Sequence, residues 1–232
     1  MAAVHKSNST WALIIACGKS EQISPDVDSA FLQMGDQPLL AHSLIAFERC
    51  HDIDGIMVMA GKDRLDHVVG MARMYGTPKL KKIAVGAVQK TASIKAGLKA
   101  LAEEQPSIVV IHEASQPCVS TAVVAETVKS AKRYGVAVAA EKVDAPIVDV
   151  PKGLKAGKVM PAGQSWMVHM PLAAKLEALE KSLGLTGSKA KVDDQAFLER
   201  ICKGAHLVPV DRPNLRVRTL ADIQIVHAAM RV

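Results

Sequence analysis

"WALIIACGKSEQISPDVDSAFLQMGD", residues 11–36, opens on the unbroken apolar run Trp11 to Cys17. The run is too short to cross a membrane as a helix, and it reads as a strand buried on both faces. Ala16, Cys17 and Gly18 end it with side chains small enough to let backbone N–H groups approach a phosphate chain, and Lys19 adds a point charge. The same small residues suit an ordinary tight turn, and the segment is neither a Walker sequence nor a GxGxxG fingerprint. Both readings stand on these residues alone.

Outward from this strand, short β-branched runs alternate with segments of helical period, the pattern of a mostly parallel sheet covered on both faces. The further strands read as GIMVMA (55–60), KIAV (82–85), SIVVIHE (107–113), VAVAAE (136–141), SWMVHM (165–170) and HLVPV (206–210). Helices are predicted near residues 38–50, 63–75, 91–103, 121–134, 171–183 and 193–203, with a last one after Thr219. Pro38 suits a first helical turn, Ser120 and Thr121 can cap, and Thr219 with Asp222 has capping-box spacing. Residues 141–164 break the alternation with closely spaced prolines and glycines, and are expected to project as an arm from a single domain spanning 1–232, a natural dimer contact.

The chain of 232 residues is 49% hydrophobic and carries a formal charge of +6. Its basic residues are dispersed, with Lys79 to Lys82 the one compact run, and aromatic platforms are scarce, so nucleic-acid binding is not expected. Cys17, Cys50, Cys118 and Cys202 lie far apart without a CxxC pair, which suits reduced thiols in a cytoplasmic protein. The polar HKSNST (5–10) is not the usual start of a cleaved signal.

Ligands of open α/β sheets collect at the carboxyl ends of the strands, which selects the first loop, the turn GAVQKTAS (86–93), the loop HEASQP (112–117) and RPNLRVR (212–218). Glu113 ends a buried strand, where a carboxylate could hold magnesium against phosphate oxygens or sit hydrogen-bonded as a simple strand-end acid. His112 reads as a satisfied core histidine. Arg216 and Arg218 share one face if their segment is a strand, which fits a phosphate and an exposed strand face equally.

Taken in order, IIACG (14–18), FLQMGDQPLLAHSLIAF (31–47), SIKAGLKAL (93–101), VVIHEASQPCV (109–119), DDQAFLER (193–200) and NLRVRTLADI (214–223) resemble the 2-C-methyl-D-erythritol 4-phosphate cytidylyltransferase family over nearly the whole chain. The resemblance implies a three-layer α/β/α nucleotidyltransferase sandwich that binds CTP with magnesium and dimerises through its arm. It further implies transfer of a cytidylyl group to a polyol or sugar phosphate, with loss of pyrophosphate. It places nucleotide binding at Ala16, Gly18, Gly86 and Ser93, the metal at Glu113 in place of an aspartate, and a catalytic cation at Arg216 in place of a lysine; Cys17 and Lys19 join the nucleotide-binding and catalytic candidates from the reading of the loop itself.

The departures fall where phosphoryl chemistry needs charge. Glu21 and Gln22 stand at or beside an expected arginine, and a proline-lysine-glutamine triplet reads Asp28, Ser29 and Ala30. Gln116 replaces a strand-end arginine, Pro146 an arm threonine, and Ala162 stands near an arginine expected before Trp166. Lys19, Lys90 and Arg218 are the candidates to compensate. Turnover by the usual route is therefore expected to be weak, and a nucleotide-binding or regulatory dimer is the other reading.

Overall fold

Alternate residues of the first strand feed two separate cores. β1 (Thr10–Ala16) sends Ala12, Ile14 and Ala16 to one face and Trp11, Leu13 and Ile15 to the other, and every one of its residues is buried. The computed structural model describes residues 8–24, 27–186, 192–210 and 213–230; Arg212 and residues 5–7 of the polar leader lie outside them.

β1 is joined in parallel by β2 (Gly55–Ala60) and then β3 (Leu80–Val85) on one side, and by β4 (Ile108–Glu113) on the other. Beyond β4 come β6 (Ser165–Lys175), β5 (Val136–Val143) and β7 (His206–Pro209). The seven-stranded order is β7-β5-β6-β4-β1-β2-β3, with β6 antiparallel to both its neighbours and the other pairs parallel. Parallel pairing needs crossovers, and the helices supply them as two covering layers.

On the Ile14 face pack α1 (Leu39–Glu48), α2 (Leu65–Tyr75) and α4 (Thr121–Tyr134), through Leu40, Leu44, Phe47, Val68, Val124 and Val128. On the Leu13 face lie α3 (Lys90–Ala100), α5 (Leu176–Ser182) and α6 (Asp194–Cys202), through Ile94, Leu98, Leu179, Phe197 and Ile201. A third cluster seats α7 (Leu220–Ala229) by Val226 against Met34, Leu39, Cys118 and Val217. No described helix is long and apolar enough to cross a membrane.

Cap chemistry sets several ends. The Ser120 hydroxyl accepts from Val123 N–H, and Thr219 and Asp222 form a reciprocal capping box ahead of α7. Pro38 differs from its expected place: with ψ of 153° it is the extended residue before α1, because the backbone turns helical only at Leu39. The helix expected over 171–183 is shorter. Residues 171–175 stay in β6, where Leu172 to Lys175 pair with Ile108 to Ile111, and Leu172, Ala173 and Ala174 are fully buried. Sheet pairing outweighs the modest helical preference of Leu and Ala there.

The last turns of β5 and the start of β6 run past the sheet edge. Between them Ile147–Val148 pairs with Val159–Met160, and residues 148–162 are exposed throughout, Ala162 included, as is Pro146.

Candidate active site

The first loop and the 86–93 turn are locked face to face by two glycines. Gly18 has φ of 92°, and a Cβ there would lie 2.8 Å from the carbonyl oxygens of both Ala87 and Val88. Lys19 N–H donates to Val88 C=O at 3.0 Å across that approach. A Cβ on Gly86 would overlap Cys17 Sγ, which sits 3.7 Å from Ser93 Oγ. The Ser93 hydroxyl in turn closes its own turn, accepting from Ala87 N–H and donating to Ala87 C=O. Ala16, Cys17, Gly18, Gly86 and Ser93 are thus brought together, and burial pushes the Cys17 thiol up.

β4 carries the charge to this corner. Its register places Glu113 beside Ile15, and Ala114 N–H donates to Ile15 C=O at 2.9 Å, so the carboxylate emerges next to the first loop. Glu113 is fully buried. Lys90 Nζ, on the first residue of α3, donates to its Oε1 at 2.8 Å, and Arg216 Nη2 pairs with its Oε2. The first turn of α3 is held by Asp194, whose Oδ1 accepts from Thr91 N–H, while Asp193 caps α6 through Ala196 N–H.

Residues 213–218 adopt no strand, so the shared face expected for Arg216 and Arg218 does not form. The segment is tethered instead by its backbone, Val217 N–H donating to Ser115 C=O, which turns Arg216 inward and leaves Arg218 exposed at the start of α7. Arg218 N–H donates to Asp222, whose carboxyl is held below the usual range by that bond and the one from Thr219. Lys19 is exposed and does not join the Glu113 cluster.

Glu21 corrects another expectation. It is not aimed at a triphosphate: it is 1% exposed, its Oε2 accepts from Ser115 N–H and its Oε1 from Ser115 Oγ, both at 2.8 Å. Burial, and then the negative charge of Glu113, push its carboxyl up to about 8. Glu21 is therefore mostly neutral near pH 7. Ser29 donates its hydroxyl to Glu21 C=O, and Gln116 Oε1 accepts from Met170 N–H beside the irregularity in the β5–β6 pairing. Asn214 donates to Met170 C=O from the other side. Glu21, Ser29 and Gln116, expected from the sequence to stand where cations belong, are internal struts.

Ser115, Asn214 and Asp194 lie within the segments HEASQP, RPNLRVR and DDQAFLER singled out from the sequence, but none was read there as a site residue. His112 is a core residue as read, but only one ring nitrogen is satisfied by a well-formed hydrogen bond: its Nε2 meets Ser43 Oγ at 3.1 Å while Nδ1 has none, Phe47 packs against its ring, and burial depresses it to about 3, so it is neutral. A cavity of about 740 Å³, lined by Gln105, Ser107, Lys132, Lys175 and Glu180, opens at the other end of β4, away from these groups.

A divalent ion fits this corner poorly. Hard cations need free carboxylate oxygens, and both oxygens of Glu113 face fixed cations. The nearby Glu21 is largely protonated and has both oxygens bonded to Ser115.

The sequence of residues 10–232 matches the family model described as 2-C-methyl-D-erythritol 4-phosphate cytidylyltransferase. The curated 2-C-methyl-D-erythritol 4-phosphate cytidylyltransferase of Geobacillus kaustophilus (strain HTA426) is 28% identical over 228 residues, covering 94% of this chain and 96% of the relative. That of Geotalea uraniireducens (strain Rf4) is 26% identical over 230 residues, covering 95% and 96%. The crystal structure of 4-diphosphocytidyl-2C-methyl-D-erythritol synthase from Anaerococcus prevotii DSM 20548 superposes with a TM-score of 0.81 over 97% of both chains, at 20% identity. A full-length match, a shared mixed seven-stranded sheet and a small loop facing a strand-end acid lead to one conclusion: the chain belongs to the 2-C-methyl-D-erythritol 4-phosphate cytidylyltransferase family.

Proposed function

We propose that the chain seats CTP on the loop Ala16–Gly18 and the Gly86–Ser93 turn, and passes its cytidylyl group to a polyol or sugar phosphate. An oxygen of the acceptor's phosphate forms a bond to the α-phosphorus of CTP. The bond from that phosphorus to the bridging oxygen breaks, and its electron pair leaves with pyrophosphate. What the protein can contribute is placement and positive charge at the transferring phosphorus.

The observation that carries the reading is the convergence of Lys90 and Arg216 on Glu113 beside the first loop. With Glu21 neutral, that cluster keeps one net positive charge. This is less than a site with free cations would offer, and Lys19 and Arg218 stay exposed. We infer slow turnover. Magnesium, implied by the family, enters no step here because both oxygens of Glu113 already lie against cations.

With CTP, methylerythritol phosphate and magnesium, pyrophosphate release is expected below about 0.1 s⁻¹, against a median near 10 s⁻¹ for enzymes. Turnover at ordinary rates would overturn the impaired-site reading. If CTP raises the melting temperature without pyrophosphate release, the nucleotide-binding or regulatory protein is the better description.

The projecting hairpin supports a second part of the reading, a homodimer. Val148, Val150, Leu154, Val159 and Met160 expose apolar surface there, continued by Trp166, Met167 and Val168 on β6. Light scattering is expected to give twice the chain mass, and a monomeric mass would exclude it. Four cysteines outside any disulfide among the described residues suit a reducing cytoplasm.

A further inference from the structure

Lys90 occupies an improbable place for a cation. It is the first residue of α3, near the positive end of the helix dipole, and its side chain is only 7% exposed. A buried ammonium there is tolerable because Glu113 accepts its hydrogen bond at 2.8 Å. Arg216 takes the second oxygen of the same carboxylate. A divalent ion ligated by Glu113 would have to displace one of these groups and then sit beside it, with positive charges crowded in a poorly solvated corner.

The arrangement nonetheless presents what a bound ion presents to phosphate: excess positive charge anchored on a strand-end carboxylate beside a loop of small residues. Two cations share one acid. Lys90 has two further ammonium donors and Arg216 the rest of its guanidinium fork for an incoming anion. The Arg216 side chain is 19% exposed, more than the 7% of Lys90, so part of that fork is open to a ligand.

We propose that Lys90 and Arg216, held on Glu113, stand in for a divalent cation, so that this chain binds the phosphate chain of a nucleotide without metal. The inference rests on the nucleotide pocket proposed above. It assigns the pocket a metal-free mode of recognition and makes Lys90 the residue on which that mode depends.

The test is calorimetric titration of the intact protein with CTP, once in excess EDTA and once in excess magnesium. The two dissociation constants are expected to agree within about threefold. Binding that needs magnesium, or tightens tenfold or more with it, overturns the inference while leaving the pocket standing. No binding in either buffer overturns the pocket itself, and the inference falls with it.

Lys90→Met is expected to weaken metal-free CTP binding by about tenfold to a hundredfold, the loss of a charge-assisted contact. Should that variant fail to fold around an orphaned Glu113, Lys90→Gln keeps a hydrogen-bond donor toward the carboxylate while removing the positive charge, and carries the same expectation. Metal-free binding that survives unchanged in a folded variant counts against the role given to Lys90.

Discussion

Two buried acids meet in one corner and are stabilised in opposite ways. Glu113, at the end of β4, lies between the cations of Lys90 and Arg216. Glu21, at the end of the first loop, is held by hydrogen bonds from a single serine and pushed up to about 8 by burial and by Glu113 itself. Removing a carboxylate from water costs several kcal/mol unless a partner or a proton compensates, and this site uses each remedy once. A side chain's type in the sequence therefore does not give its charge in the fold. The neighbours decide it.

Breaking the first remedy has the largest expected effect. Lys90→Met strands half of the Glu113 carboxylate and is expected to cost about 3–5 kcal/mol in urea unfolding at neutral pH. A loss below about 1 kcal/mol would mean that Glu113 finds water or another partner.

The second remedy has a pH signature. Between the ordinary value of 4.5 and the folded value of about 8, the folded protein keeps a proton on Glu21 that the unfolded chain has released. Stability therefore falls as pH rises through that window. Glu21→Gln keeps an acceptor for Ser115 N–H and cannot ionise. The variant is expected to gain about 1–3 kcal/mol on the parent above pH 8 and nothing near pH 4. Parallel stability profiles for the two proteins would remove the protonated-acid description.

The smallest effect calibrates the others. Lys132 and Asp52 form a pair at 3.3 Å with both side chains over 40% exposed, and Lys132→Ala is expected to cost at most about 0.5 kcal/mol. A loss comparable to that of Lys90→Met would show that burial is not what separates the two lysines.

The sheet was legible because strands buried on both faces leave continuous apolar runs, as in GIMVMA and WALIIAC, and because caps such as Thr219 with Asp222 are local. The Pro171 to Lys175 stretch was misread because Leu and Ala serve helix and strand alike, and its pairing with Ile108 to Ile111 is not written nearby. The small residues of the pocket were legible for a similar reason: Gly18 and Gly86 are required by close approach of backbone and sulfur. The directions of Glu21, Gln116 and Arg218 were not.

The sequence alone determined the layered α/β architecture, the small-residue loop and the acid at the end of β4, since these follow from local periodicity and side-chain size. Only the tertiary structure decided that Glu21 is tied to Ser115 in the same buried corner and that Lys90 and Arg216 meet on Glu113. Ser115 lies 94 residues from Glu21, and Lys90 lies 23 from Glu113. Charge and direction at such separations depend on which strands and loops the fold sets side by side, and no local pattern records that.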